Sequence, residues 1–354
     1  TSAAQSGILE DMPRLDYSAS CPSLLLEPQR TNNITQSEYF GGSYTRANVD
    51  VVMGFTSPEG LNNAYRVSPT ASGAGAYSVS IYAARSGQPT SVKTNSFFVK
   101  PNGQRWIYLA PPTGGNDVVF FDLQNGVIGA EKGVSTGRIE THSNGWYRLS
   151  LTEDANIGYC YFGVGFCDGD DSFTYTQSSN SIFLYGGQYE LGSYPTSYIP
   201  TYGTSQTRSG DNTGTIDVSS LGVTTGYTLF YELGDFNVAF SGVWLSQSGG
   251  SNRPYQVFGA TAVIKTNSGD VYPFNHGTLG EGTGIKVAVN YDGTNINVFT
   301  DGTKRGTWAA NKTFWDSLTD LDMNLSSVQM VNWKQLLVFP TALTDSECIA
   351  LTTL

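Results

Sequence analysis

Alternation between apolar and polar side chains predicts β-strands over most of the chain. Strand signals recur about every 10 to 15 residues between positions 48 and 192. The clearest alternation places Tyr77, Val79, Ile81 and Ala83 on one face of a strand. Many short strands separated by turn residues are typical of a β-sandwich or jelly roll. The turn signals are Asn102-Gly103, Asn125-Gly126 and Asn144-Gly145.

A second series of strands follows residue 215. Ile285, Val287, Val289 and Tyr291 alternate and are expected to face inward. Asp292-Gly293 and Asp301-Gly302 are turn signals on either side of a return strand over 295–300. This pattern predicts a β-meander.

The chain ends with one more strand and a short helix. The strand is predicted over 333–339. Thr344 and Glu347 have the spacing of a capping box, in which each side chain satisfies a backbone N–H of the other residue. We therefore expect a helix to begin at this point.

The pattern divides the chain into two strand-rich domains. Two prolines and many hydroxyl side chains mark an extended, polar connection near residue 200. The first 35 residues lack a strong period and suit an edge strand or an extended arm. The predicted divisions are an arm over 1–35, a first domain over 36–192, a linker over 193–214 and a second domain over 215–354.

Composition supports an all-β protein and excludes some functions. Aromatic residues make up 13% of the 354 residues and charged residues only 14%, whereas long-helix proteins are rich in Ala, Glu, Lys and Leu. The net charge of -11 disfavours nucleic-acid binding, which needs clustered cations. No apolar run approaches the roughly 18 residues that span a membrane. The first residues are neither basic nor apolar, so we do not expect a signal peptide.

Four cysteines leave two interpretations open. Cys21, Cys160, Cys167 and Cys348 include no C-x-x-C pair, so neither a zinc site nor a dithiol redox site is indicated. Cys160 and Cys167 have an odd spacing, which puts them on opposite faces of a regular strand. Buried free thiols are favoured over a single disulfide.

The sequence predicts a protein without a catalytic centre. Its two histidines, His142 and His276, lie in different predicted domains, neither has a metal-ligating residue at i+2 or i+4, and no H-E-x-x-H motif is present. A Ser-His or Cys-His nucleophile needs a base within hydrogen-bond reach. A pair of carboxylates that cleaves a glycoside stays open, because sequence does not give the distance between them.

A cation site is a further candidate. Asp168, Asp170 and Asp171 place three carboxylates in one loop, and Ca²⁺ prefers oxygen ligands. The loop departs from the EF-hand pattern, because Ser172 and Phe173 stand where Asp or Asn and Gly are needed. Bound Ca²⁺ and a plain acidic turn are the two alternatives, and no other cofactor is expected.

Strand parity proposes a glycan-binding platform in the first domain. Sugars bind where aromatic rings lie against pyranose C–H faces. Alternation puts Trp106 and Tyr108 on the face opposite Ile107 and Leu109. It likewise puts Trp146 and Arg148 opposite Tyr147, Leu149 and Leu151. If the two strands are neighbours, Trp106, Tyr108 and Trp146 line one open sheet face, and Arg148 is a further candidate glycan-binding residue.

Two alternatives weigh against aromatic sugar sites in this chain. In the first domain, the alternative is that both faces of the sheet are covered, or that Trp146 serves only for packing. In the second domain, Trp244 and Tyr272 lie near turns and suggest a loop-borne glycan site, with Tyr255 and Trp308 as further candidates. Core packing or a subunit interface also explains them, since interfaces are rich in Tyr and Trp.

Several segments resemble known adhesion proteins. Residues 14–17 and 21–32 resemble a segment of phage tail-fibre and other virion adhesion proteins. Residues 144–148 and 187–201 resemble the end of a carbohydrate-binding-module-like jelly roll in such proteins, with Gly187 where Ala is common. Residues 287–302 and 335–344 are similar to concanavalin-A-like (laminin-G-like) domains.

The resemblance implies a jelly roll followed by a concanavalin-A-like sandwich, on the surface of a virus particle. It implies binding at a host or matrix surface, often by a trimeric assembly. Because the sequence also predicts no catalytic centre, we expect reversible, non-catalytic binding to host cell-surface glycans by a tail fibre, spike or head fibre that contacts other virion proteins. Two alternatives remain: a purely structural virion component, or the accessory carbohydrate-binding part of a polysaccharide-degrading enzyme.

Overall fold

The computed structural model confirms that the protein is all-β, with a short C-terminal helix. It describes residues 14–16, 23–42, 44–86, 91–110, 117–153, 159–211, 215–223, 225–236, 243–244, 255–257, 262–265, 271–274, 284–316, 320–322 and 331–353.

Twenty-seven strands are present in the described ranges. The first sixteen are β1 (Arg14–Asp16), β2 (Ser23–Leu26), β3 (Arg30–Asn32), β4 (Thr45–Ala47), β5 (Val49–Phe55), β6 (Ala64–Pro69), β7 (Ser80–Ser86), β8 (Lys93–Asn102), β9 (Trp106–Leu109), β10 (Val118–Asp122), β11 (Val127–Lys132), β12 (Ser135–Thr141), β13 (Tyr147–Glu153), β14 (Tyr159–Cys167), β15 (Ser181–Leu191) and β16 (Gln206–Arg208). The others are β17 (Thr215–Asp217), β18 (Tyr227–Phe236), β19 (Val243–Trp244), β20 (Tyr255–Val257), β21 (Ala262–Lys265), β22 (Val271–Phe274), β23 (Ile285–Tyr291), β24 (Asn295–Thr300), β25 (Thr303–Ala309), β26 (Asp320–Asp322) and β27 (Val331–Phe339). The α-helices are α1 (Lys312–Trp315) and α2 (Asp345–Thr352), and short 3₁₀ turns cover Ser143–Gly145 and Ser219–Leu221.

The chain divides into two compact units. Unit 1 contains Arg30–Arg208, and unit 2 combines Asp11–Gln29 with Ser209–Leu354. The stretch predicted as an arm therefore supplies strands to both units, and much of the predicted linker belongs to unit 1.

Unit 1 is a sandwich of two antiparallel six-stranded sheets. One sheet, here the β9 sheet, has the strand order β11-β10-β9-β14-β7-β4, and the other, the β15 sheet, has the order β12-β13-β8-β15-β6-β5. One apolar core contains side chains from both sheets, for example Ile107 and Leu109 with Phe97 and Val99. The alternation that defines each strand thus buries one face of each sheet.

The residues just before β7 depart from the predicted alternation. Val79, Ile81 and Ala83 lie in the core as predicted, but the prediction for Tyr77 is wrong. Tyr77 has a left-handed backbone (φ 66°), which ends the alternation before the strand begins at Ser80. Its ring lies on the outer face of the β9 sheet, with its centroid 5.2 Å from that of Tyr82.

Unit 2 is built on a seven-stranded antiparallel sheet with the order β1-β2-β27-β18-β23-β24-β25. The predicted meander is confirmed, since β23, β24 and β25 are successive neighbours. Ile285, Val287, Val289 and Tyr291 are buried on one face, as predicted. The same unit contains a four-stranded sheet, β19-β20-β21-β22, and the pair β17-β26.

Helix α2 begins as predicted. The Thr344 side chain accepts from the Glu347 N–H, and the Glu347 carboxylate accepts from the Thr344 N–H at 2.7 Å. Cys348 is buried against Phe230 and Phe299, with its thiol free. Within the described residues, no helix has the length and apolar character needed to cross a bilayer.

Candidate functional site

The prediction that Trp106, Tyr108 and Trp146 share one platform in unit 1 is wrong. Strand alternation nevertheless assigned each side chain to the correct face of its own sheet. Ile107 and Leu109 face the core, so Trp106 and Tyr108 face outward from the β9 sheet. Trp146 and Arg148 are at the outer face of the β15 sheet, where β13 lies. The strands are not neighbours, because sheet membership depends on non-local pairing that alternation does not encode.

Tyr108 is a packing residue on the outer face of the β9 sheet. It is 1% exposed, and its ring packs against Phe120 and Phe173. Its hydroxyl accepts from the Tyr77 N–H at 2.8 Å, and burial raises the pKa of Tyr108 to about 12. Trp106, with the Arg105 guanidinium 5.6 Å from its ring, is only partly buried.

Trp146 and Arg148 also pack rather than face solvent. Trp146 is 1% exposed and lies in a cluster with Phe98 and Tyr185. Arg148 is 7% exposed, lies over the Phe98 ring and donates to Ser96 Oγ at 3.1 Å. The environment of Trp146 is therefore the one expected if this side chain serves for packing.

The acidic loop does not gather its three carboxylates. Asp168 accepts from Thr176, Asp170 accepts from the Ala130 N–H at 2.7 Å, and Asp171 pairs with Lys132. Each carboxylate thus has its own partner. Within the ranges that the structure describes, no group of three or more His, Cys, Asp or Glu side chains is arranged to hold a metal ion.

The roles predicted for the remaining candidate residues stay predictions. Trp244 lies on β19 and Tyr272 on β22, the two edge strands of the four-stranded sheet, and their side chains are outside the described residues. His276 is outside them altogether. His142 is described: its Nε2 is 3.8 Å from Glu140, and its ring meets the Phe98 ring edge-on.

The structure brings together a cluster that the sequence did not indicate, at the outer face of the β15 sheet. We call it the tyrosine–glutamate corner. Its members come from four separate segments of unit 1: Glu38, Glu59, Asn63, Tyr185, Tyr198 and Tyr202.

Glu38 is the centre of the corner. Its Oε1 accepts from the hydroxyls of Tyr185 and Tyr202, each at 3.1 Å, and lies 3.4 Å from the Tyr198 hydroxyl, whose proton goes to Ser37 Oγ. Its Oε2 accepts from Asn63 Nδ2 at 3.4 Å. Charged acceptors make stronger hydrogen bonds than neutral ones, so the carboxylate fixes the directions of these rings.

Glu59 adds a second carboxylate. Burial raises the pKa of Glu59, the hydrogen bond from Tyr185 opposes the rise, and the charge of Glu38 adds to it. A phenol hydroxyl has one proton and cannot donate fully to two carboxylates. The two acids therefore compete for the Tyr185 proton.

Buried hydrogen bonds hold the backbone that carries the corner. Ser37 Oγ accepts from the Thr201 N–H at 2.8 Å and from the Tyr198 hydroxyl at 2.7 Å. This pins Glu38 beside the segment that carries Tyr202. Glu59 lies in a tight turn, in which Gly60 has a left-handed backbone (φ 83°) and its N–H donates to the Ser57 carbonyl at 3.0 Å.

The corner is open to solvent on one side. Tyr202 is 70% exposed even though its hydroxyl is held by Glu38. Glu38, Glu59 and Asn63 are partly buried, whereas Tyr185 and Tyr198 are buried beneath them. The result is an exposed, oriented ring beside two carboxylates. The nearest sequence signal is the polar loop over 56–63, which predicts a turn and not a site.

No family model and no curated protein matches the chain. Among solved structures, it is similar to the CBM40 domain of a Ruminococcus gnavus IT-sialidase, at 11% identity over 41% of this chain and 95% of that chain, with a TM-score of 0.31. It is also similar to sheep galectin-11, at 12% identity over 37% of this chain and 100% of that chain (TM-score 0.30). The binding domain of botulinum neurotoxin DC, in complex with rat synaptotagmin II, matches at 10% identity over 37% of this chain and 36% of that chain (TM-score 0.30). At these identities and TM-scores, the similarity does not indicate what this chain binds.

Proposed function

We propose that unit 1 binds a glycan reversibly and without catalysis at the tyrosine–glutamate corner. The observation that carries the proposal is the Tyr202 ring, which is 70% exposed while its hydroxyl is anchored on Glu38. A ring fixed before binding loses little rotamer freedom when a ligand stacks on it.

The chemistry of the corner suits a ligand with many hydroxyls. The exposed ring offers an apolar face to pyranose C–H groups, as buried aromatic anchors do at binding surfaces. Glu38 and Glu59 offer acceptors to sugar hydroxyls, and hydrogen bonds to ionised acceptors are the stronger kind. The corner thus combines stacking with directional polar contacts.

We propose further that the protein acts on the surface of a phage particle. This part rests on the resemblance of residues 21–32 and 187–201 to virion adhesion proteins. Several linked copies would raise the effective concentration of weak sites, so that modest affinity per site suffices for adhesion. The non-catalytic part rests on the sequence, in which the two histidines lie in different predicted domains and neither has a metal-ligating residue at i+2 or i+4 or belongs to an H-E-x-x-H motif.

A glycan array followed by titration tests the site. We expect Tyr202→Ala to weaken binding about tenfold, or ~1.4 kcal/mol, because the stacking face is lost. Tyr202→Phe keeps the ring and is expected to retain most of the affinity. The matched control is Tyr82→Ala, which truncates a partly exposed tyrosine on β7, in the β9 sheet.

Two results would overturn the proposal. Unchanged binding in Tyr202→Ala, with binding lost in Trp106→Ala, would move the site to the outer face of the β9 sheet. New reducing ends after incubation with a bound polysaccharide would show turnover and remove the claim that the protein only binds.

A further inference from the structure

The groups of the corner that can still form hydrogen bonds are acceptors. The Tyr202 proton goes to Glu38, the Tyr185 proton is shared between Glu38 and Glu59, and Tyr198 donates to Ser37 Oγ at 2.7 Å. Asn63 donates to Glu38 and is hydrogen-bonded with Glu59. An ionised carboxylate has about four lone-pair sites, so both acids can accept further hydrogen bonds.

Within the part of the chain that the structure describes, neither acid of the corner forms an ion pair with a cationic side chain. The charge that acts on Glu59 is that of Glu38, which has the same sign. The whole chain has a formal net charge of -11, so its field attracts cationic ligands toward such a site.

Asn63 has one more acceptor. Its Oδ1 is buried and has no hydrogen-bond partner among the residues that the structure describes. Its Nδ2 donates to Glu38, so this oxygen adds one unused acceptor to the corner.

We propose that the ligand of the corner is a glycan with a free, protonated amino group, and that this ammonium lies between Glu38 and Glu59 beside the Tyr202 ring. The inference rests on the proposed function and names its ligand class. An ammonium has three N–H donors and no acceptor, which complements a site that offers only acceptors. Its charge strengthens each hydrogen bond and is attracted to the aromatic face.

Other sugar substituents fit less well. An N-acetyl group has one N–H donor and adds a carbonyl acceptor, which meets the carboxylates with like polarity. A carboxylated sugar brings a third negative charge to two that already repel each other. A hydroxyl has one donor and leaves the charge of the acids uncompensated. The order of preference is therefore amino sugar, neutral sugar and acidic sugar.

The test compares two forms of one oligosaccharide with the full-length chain. Fully deacetylated and fully N-acetylated chito-oligosaccharides of equal length differ in the amino substituent alone. Calorimetric titrations run between the carboxyl and amine pKa values, with EDTA present to remove divalent cations. We expect the deacetylated form to bind at least about tenfold more tightly, and this preference to weaken as salt is added.

Glu59→Gln is the deciding variant. It removes one of the two charges and keeps the shape, so we expect the preference to fall to about threefold or less while the N-acetylated form binds as before. Asp50→Asn is the control: it removes one exposed negative charge elsewhere in unit 1 and should leave the preference unchanged.

The outcomes separate this inference from the proposed function. Equal binding of both forms, lost together in Tyr202→Ala, would refute the amino-sugar preference and leave glycan binding at the corner standing. Failure of every array glycan and of both oligosaccharides to bind would refute the proposed function itself. A preference that persists in Glu59→Gln would show that the acid pair does not produce it.

Discussion

Glu140 shows how the neighbours of one side chain decide its charge. Burial raises the pKa of Glu140, but the neighbouring His142 imidazole, 3.8 Å away, and the charges of Arg148 and Arg138 outweigh it and lower the pKa to about 2. Arg138 Nε is 2.9 Å from the carboxylate, and Arg148 is its cross-strand partner on β13. The ionised form is therefore favoured in the folded protein.

This lowered pKa predicts a pH-dependent contribution to stability. The stabilisation is complete above the ordinary carboxyl value of 4.5 and is lost as the pH falls toward 2. We expect Glu140→Gln to lower the free energy of unfolding by about 1 to 2 kcal/mol at neutral pH, after allowance for solvent screening.

Urea unfolding at a series of pH values measures this contribution. The difference between wild type and Glu140→Gln should shrink as the pH falls below the ordinary carboxyl value. Asp50→Asn, at an exposed position, controls for the loss of one negative charge. A difference that stays constant across the acid range would contradict the assigned cause.

At the scale of elements, one buried asparagine joins three segments of unit 1. Asn32 Nδ2 donates to the carbonyls of Gly187 (3.1 Å) and Ile199 (2.8 Å). Its Oδ1 accepts from the N–H groups of Ile34 (3.0 Å) and Tyr189 (3.1 Å). All four hydrogen bonds are buried, so the side chain replaces water for four backbone groups. The segment that carries Tyr202 is thereby tied to β15.

Asn32→Ala tests the importance of this junction. Removing the amide leaves buried backbone groups unsatisfied, and we expect a loss of about 2 to 4 kcal/mol in stability. Hydrogen exchange followed by mass spectrometry should show faster exchange over 186–201. Thr31→Ala, which removes an exposed hydroxyl pair with Thr207, should leave exchange there unchanged. Equal protection in both variants would mean that Asn32 is not the junction.

Local patterns predicted the strands well, because alternation is a property of neighbouring residues. Parity assigned Ile107 and Leu109 to the core and Trp106 to the outer face, as the structure has them. Tyr77 is the exception, since a left-handed backbone interrupted the period. That conformation is uncommon for a bulky side chain, and nothing in the alternation marks it.

At the scale of the whole molecule, sequence reasoning reached the all-β class but not the assembly of the site. The corner combines residues 38, 59–63, 185 and 198–202, which meet only because β15 and β6 pair and the later segment returns over them. Such long-range pairings depend on the complete fold. The predicted platform failed for the same reason, because β9 and β13 joined different sheets.

Tyrosine footprinting with the glycan that the array identifies tests whether the glycan covers the Tyr202 ring. Tyr202 (70% exposed) and Tyr39 (50% exposed) are both accessible to a ring-modifying reagent, and Tyr39 serves as the internal reference. Peptide mass spectrometry then measures modification of each tyrosine with and without saturating glycan. We expect bound glycan to protect Tyr202 and to leave Tyr39 reactive. Equal modification of Tyr202 in both samples would contradict this expectation.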